Sequence, residues 1–156
     1  MHERAAIGAK VRLRTAGPAD AGACAAVFDG WVGATDWMPR VHPVDEVERH
    51  LRETVLPRWA VTVAEAGDAV VGFMALDDGR VDGLYLAAAA RRQGIGSALI
   101  AAAKAASPAG LTLRTFVANE AARAFYAAQG FVELQRGAGD NEERLPDILL
   151  CWPGTR

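Results

Sequence analysis

The stretch Arg91-Arg-Gln-Gly-Ile-Gly-Ser97 lies between a strand-like run, Val81-Asp-Gly-Leu-Tyr-Leu86, and an alanine-rich helical run that continues to Ala106. Gly94 and Gly96 remove side chains where a ligand could approach the backbone. The helix start aims unpaired N–H groups and a partial positive charge at the same point, which makes the turn an anion site. The residues alone read equally well as an ordinary loop-to-helix turn. Two nucleotide fingerprints fail here. A dinucleotide fold wants a third glycine where Leu99 stands and an acidic residue about 20 residues on, near which the sequence carries Arg114. A Walker A loop wants lysine after Gly96, but Ser97 follows directly.

Working outward, Ser107-Pro108 ends the helix and Leu111-Thr-Leu-Arg-Thr-Phe-Val117 reads as a strand, so strand, helix and strand form a parallel βαβ crossover. Upstream, Trp59-Ala-Val-Thr-Val63 and Ala69-Val-Val-Gly-Phe-Met-Ala-Leu76 are apolar and β-branched and meet at the turn Ala66-Gly67-Asp68. Asp77-Asp-Gly-Arg80 turns the chain again into residues 81–86. Val11-Arg-Leu-Arg-Thr15 alternates like a half-buried strand, and Gly17-Pro18 ends it. Helical spacing places Ala23, Val27 and Trp31 on one face from Ala19, and Val47, Leu51 and Val55 on another from Asp45 until Pro57. A last helix runs from Asn119 to Gln129, with Gly130 in the left-handed position that ends it. Residues 131–134 and 148–152 close as a strand pair. An antiparallel half followed by a βαβ centre predicts an α+β fold with a mixed sheet.

The 156 residues are 51% apolar and 23% charged, and 17 Lys+Arg against 19 Asp+Glu leave a net charge of −2. This predicts one globular domain that holds its core without staples. Without clustered basic residues, a nucleic-acid or anionic-membrane partner is not expected. The longest apolar stretch, around residues 97–106, is broken by Lys104 and falls short of the roughly 20 residues needed to span a bilayer. Met1-His2-Glu3-Arg4 lacks the order of a secretory signal, which predicts a cytoplasmic location. Cys24 and Cys151 then read as reduced core thiols. Alanine supplies 33 residues but little area to bury, so the core rests on Trp, Phe, Leu, Val and Ile.

A second constellation is Asn119-Glu-Ala-Ala-Arg-Ala-Phe-Tyr-Ala-Ala-Gln-Gly-Phe131. Asn119 and Tyr126, seven residues apart, share a helix face about 10.5 Å apart along the axis and can address one extended ligand. An N-cap asparagine and a half-core tyrosine are the alternative reading.

Together these stretches resemble the GCN5-related N-acetyltransferase (GNAT) superfamily. Arg91-x-x-Gly94-x-Gly96 is similar to its pyrophosphate-binding motif, and Asn119-x-x-Ala122-x-x-Phe125-Tyr126…Gly130-Phe131 to its second block. The likeness spans residues 61–152. It implies a mixed, mostly antiparallel sheet of six to seven strands with about four helices, and acetyl-CoA lying in a wedge between splayed strands four and five. Carried over by position, the backbone of Leu84, Tyr85 and Leu86 holds pantetheine. The N–H groups of Gln93, Gly94, Ile95, Gly96 and Ser97 cradle pyrophosphate, and Arg91 and Arg92 add charge. Asn119 touches the cofactor arm and Arg123 approaches its 3′-phosphate end. Tyr126 is the general acid for the departing thiolate.

The implied activity is transfer of acetyl from acetyl-CoA to a primary amine of a small-molecule acceptor by direct attack, the oxyanion being held by a strand-four N–H. A protein or peptide N-acetyltransferase and a noncatalytic acyl-CoA sensor are the alternatives. Three departures from the pattern stand out, one being Arg92 where the family often has glycine. Ala87-Ala-Ala-Ala90 replaces the common proline and aromatic residue. Arg114 stands where members acting on ribosomal-protein N-termini carry a glutamate, which argues against that substrate. An alkylammonium titrates near 10.4 and must lose a proton. Asp82, on the face of Leu84 and Leu86 by period two, could accept it through water. It reads equally as a solvated turn-adjacent aspartate. Asp36 and His42 are other candidates. On the substrate side, Trp31, Trp37 and Met38 wall a pocket near His42, and Gly139-Asp-Asn-Glu-Glu143 could attract a cation. An edge strand at residues 148–152 would permit a homodimer.

Overall fold

A computed structural model describes residues 11–155, so the N-terminal stretch Met1-His2-Glu3-Arg4 lies outside the described residues. Seven strands form one sheet: β1 (Val11–Thr15), β2 (Ala60–Ala66), β3 (Ala69–Asp77), β4 (Arg80–Leu86), β5 (Leu111–Phe116), β6 (Val132–Gly137) and β7 (Asp147–Trp152). Their order is β1-β2-β3-β4-β5-β7-β6. All neighbours are antiparallel except β4 and β5. The expected mixed α+β sheet is what forms. Gly67 turns β2 into β3 at φ +61°, and Asp78 and Gly79 turn β3 into β4 at φ +47° and +85°. Two successive left-handed residues match the twist of the flanking strands.

Helices cover both faces. Helix α1 (Ala21–Gly33) and α2 (Val44–His50) lie on one side, and α3 (Ile95–Ala106) and α4 (Glu120–Ala128) on the other. This explains why β3 reads as an unbroken apolar run instead of alternating. Its Met74 and Leu76 pack with Leu99, Ile100 and Ile148, while Phe73 and Ala75 pack with Cys24, Leu51 and Val55. Cys24 is buried and free, and burial pushes its thiol up to about 12, leaving it inert. The helix beginning at Val44 does not stop at Pro57. It runs through a π turn over Leu51–Val55, closed by the Leu56 N–H on the Leu51 carbonyl, into a last turn at Leu56–Arg58. Pro57 is tolerated because it opens that last turn.

Two departures from the sequence expectation shape the site. In β4, Val81 pairs with Leu76 and Gly83 with Ala75, so Asp82 is an extra residue, a bulge. The bulge cancels the period-two argument. Leu84 and Leu86 pack into the α3 side with Val81, whereas Asp82 bonds back to Arg80 at 2.6 Å and faces the α1/α2 side with Tyr85. The second concerns the C-terminus. Strand β7 is not an edge. It inserts between β5 and β6, because α4 carries the chain past the place beside β5 and the last strand returns to fill it. The edges are β1 and β6, and β6 exposes Val132 and Leu134. Arg14 anchors β1 by a two-pronged contact to Asp20 and two further hydrogen bonds to one oxygen of Glu65. Among the described residues, no helix is long and apolar enough to cross a membrane.

Candidate functional site

Strands β4 and β5 pair at only two positions, Arg80 with Thr112 and Val81 with Leu113. From Asp82 to Leu86, the edge of β4 that faces β5 has no strand partner, and the strands separate into a wedge. Backbone donors and acceptors there are obligatory hydrogen-bonding groups left for a ligand or solvent. The wedge is a cavity of about 260 Å³ lined by Leu84, Tyr85, Thr115, Phe116, Asn119 and Tyr126, among others.

Tyr126 is 7% exposed and packs edge-on to Phe125 and Phe131. Among the described residues, its hydroxyl has no hydrogen-bond partner, and burial raises it well above the ordinary tyrosine range. It stays protonated at any physiological pH, and Tyr126 lines the wedge. Asn119 caps α4, its side-chain oxygen accepting from Ala122 N–H at 3.1 Å. It also lines the wedge, so the capping and ligand-facing readings coincide. Arg123 folds back to donate to the Val117 carbonyl at 3.2 Å.

At the start of α3 the two glycines differ. Gly94 adopts φ +82° and has open space where a Cβ would stand. A Cβ on Gly96 would instead meet Phe125 Cζ at 3.3 Å, so this glycine makes room for α4 and not for a ligand. The first helical bond runs from Ala98 N–H to the Gly94 carbonyl. The N–H groups of Ile95, Gly96 and Ser97 therefore have no intrahelical acceptor. The Ser97 hydroxyl accepts from Gln129 at 3.0 Å, and the Gln93 side chain donates to the Ala89 carbonyl. Arg91 and Arg92 are exposed beside this turn.

A second, larger cavity of about 620 Å³ opens on the α1/α2 face. It shares Asp82, Gly83, Tyr85 and Glu143 with the wedge, so the two meet at the β4 bulge. Its floor is apolar, with Phe28 and Phe73 each packed on Tyr85 and Leu51 and Val55 in the same lining. Glu46, Glu53, Glu142 and Glu143 stand around it. Burial pushes the Tyr85 hydroxyl upward, and Tyr126, Asp82 and Glu143 add to this.

The aromatic residues expected at this pocket are placed differently. Trp31 lines the wedge and packs on Tyr85, while Trp37 stands edge-on to Trp31 and Phe116 and lines neither cavity. His42 does line the larger cavity. Its ring lies between Glu142 and Glu46, which raise its pKa and favour the protonated form. Arg114 reaches toward Asp147 at 3.6 Å, and both line the wedge. Phe28, Phe73 and Glu53 were not anticipated. Phe28 lies one turn before Trp31, a spacing that could have revealed it.

Residues 57–133 match the family described as acetyltransferase (GNAT) domain. No curated protein sequence matches the chain. Among solved structures, the chain is similar to apo-form YjaB from Escherichia coli, with 28% identity, a TM-score of 0.76 and coverage of 93% of this chain and 99% of that one. A GCN5-related N-acetyltransferase from Rhodopseudomonas palustris shares the fold at 23% identity and TM-score 0.73, covering 91% and 94%. So does yncA from Salmonella typhimurium, solved with its cofactor acetyl-CoA, at 18% identity and TM-score 0.71, covering 94% and 95%. The matched motif segment, the splayed β4 and β5 and these likenesses agree, and the chain belongs to the GNAT superfamily of acetyltransferases.

Proposed function

We propose that this chain is a single-domain, cytoplasmic N-acetyltransferase that moves the acetyl group of acetyl-CoA to a primary amine of a small-molecule acceptor. The observation that carries this reading is the meeting of two cavities at the β4 bulge, with buried Tyr126, whose hydroxyl has no partner among the described residues, lining one of them. The residues fit the cosubstrate. An extended amide-bearing arm suits the unpaired edge of β4 at Leu84, Tyr85 and Leu86. A diphosphate suits the free N–H groups at the start of α3 beside open Gly94, with Arg91 and Arg92 adjacent.

Acetyl-CoA supplies an activated acyl carbon. The acceptor nitrogen forms a bond to that carbon as the carbon–sulfur bond breaks. Tyr126 gives the phenolic proton to the departing sulfur. Its raised pKa keeps the proton available, and the apolar surroundings that raise it also disfavour an unprotonated thiolate. Asp82, at the junction of the cavities, takes the ammonium proton through water. Asn119 borders the cosubstrate arm, and Trp31 walls the wedge.

Replacing Tyr126 by Phe tests this. Thiol release from acetyl-CoA with an amine acceptor should fall about tenfold or more while acetyl-CoA binding persists. Unchanged turnover removes Tyr126 from the mechanism. Absence of thiol release with every amine, despite binding, identifies a noncatalytic acyl-CoA sensor.

A further inference from the structure

The two cavities share Asp82, Gly83, Tyr85 and Glu143. The rim of the larger one carries both signs, with Arg49, His42 and His50 among its glutamates, so rim charge alone selects no ligand. At the shared junction Asp82 is paired with Arg80, and Gly83 has no side chain. Tyr85 therefore supplies the junction's neutral polar side chain.

The Tyr85 ring is held from several sides. Phe28 stands edge-on to it at 4.9 Å between centroids, and Trp31 and Phe73 pack against it at 5.3 Å and 5.7 Å. A Cβ built on Gly83 would lie 2.8 Å from Tyr85 Cε2 and 3.7 Å from Cζ, the carbon that carries the hydroxyl. The phenol end thus lies back over Gly83, at the bulge where both cavities open, in space that only a glycine leaves free. Among the described residues, the hydroxyl has no hydrogen-bond partner. Phe28 and Phe73 can supply none. A phenol left unpaired in such surroundings is unfavourable, and a ligand that pairs with it recovers the loss.

The reaction narrows the ligand. The wedge suits the cosubstrate and the larger cavity the acceptor, so a group lining both meets the acceptor nitrogen. A carboxylate touching that nitrogen favours the ammonium, which has no lone pair for attack. A neutral phenol oxygen accepts an N–H from the free amine without holding the extra proton in place.

Resting on the acetyltransferase reading above, we propose that Tyr85 is an acceptor-binding residue, its phenol oxygen accepting a hydrogen bond from the acceptor N–H at the junction of the cavities. The nitrogen lone pair is then left for the acetyl carbon in the wedge. No bond to Tyr85 forms or breaks, and Tyr126 remains the donor of the proton to sulfur.

The probe is whichever of octylamine, 2-phenylethylamine and glycinamide releases thiol fastest from acetyl-CoA. Tyr85→Phe keeps the ring and its packing and removes only the hydroxyl. Its kcat/KM for the amine should fall about fivefold or more, while the Kd of acetyl-CoA, whose arm meets the β4 backbone, moves less than about twofold. The melting temperature should not fall, because the hydroxyl has no partner to lose. The chain has two tyrosines, so an isotope label on tyrosine Cζ gives one NMR signal for each. With coenzyme A bound, the amine at concentrations that saturate turnover should shift the Tyr85 signal more than the Tyr126 signal. Unchanged kcat/KM in Tyr85→Phe, or no shift of the Tyr85 signal, overturns the proposal and leaves acetyl transfer standing. Failure of the wild type to release thiol with all three amines overturns the activity itself, and the proposal with it.

Discussion

His42 Nε2 lies 3.0 Å from Glu142 Oε2, tying the segment before α2 to the loop between β6 and β7 across the mouth of the larger cavity. On its other side, Nδ1 lies 3.2 Å from Glu46. These two carboxylates raise the imidazole pKa above its ordinary value, so folding favours the protonated form. Its contribution to stability is therefore complete below about pH 6.5 and disappears as pH rises through the elevated value. The melting-temperature advantage of the wild type over His42→Gln should be largest near about pH 5.5 and vanish in mild alkali. An advantage independent of pH would show that His42 contributes by packing alone.

The opposite sign holds at β1. The two-pronged contact from Arg14 holds the Asp20 carboxyl below the usual range, and Arg12 and Arg14 do the same for Glu65. This stabilisation is present above about pH 3.9 and is lost as acid titrates the lowered groups. The urea midpoint of Arg14→Met should fall below that of the wild type at neutral pH, and the two should converge near about pH 2.5.

The two glycines of the loop should respond to substitution in different ways. Gly94→Ala places a side chain at φ +82° in open space, costing about 1–2 kcal/mol through the backbone alone. Gly96→Ala presses on the Phe125 ring and costs about 1–3 kcal/mol. Phe125→Leu should recover part of the second loss and none of the first. Equal recovery at both positions would contradict the assignment of Gly96 to packing.

At the bulge, Asp82→Asn should lower kcat about 100-fold, with the KM for acetyl-CoA moving far less. If Asp82 serves only its ion pair with Arg80, kcat persists and the melting temperature alone falls.

The layout of the sheet was legible because its signals are local. Gly67 and the pair Asp78-Gly79 turn where turn chemistry put them, β1 has its expected bounds, and Gly130 ends α4 at φ +93°. What was not legible depends on pairing between distant residues. A bulge is defined by register against β3, so no reading of residues 80–86 alone could move Asp82 off the face of Leu84. The strand order at β7 likewise depends on which gap the chain leaves open beside β5. The π turn leaves no mark in the apolar spacing, since Val47, Leu51 and Val55 remain on one face. Helix spacing was enough to place Asn119 and Tyr126 on one cavity wall and Gly94 at the start of α3. The floor of Phe28 and Phe73 is assembled from α1 and β3, which no short motif can join.

The two-position contact between β4 and β5 also bears on cooperativity. Strands β1 to β4 and strands β5 to β7 are two hydrogen-bonded ladders joined by a short parallel seam, with α3 as the covalent strap. A ligand seated in the wedge bridges both ladders, so its binding energy opposes their separation. Amide exchange at Leu84 and Leu86 should then slow together with exchange at Thr115 when acetyl-CoA is added. Occupancy of the seam would thus be felt as tighter coupling between two halves that otherwise open with some independence.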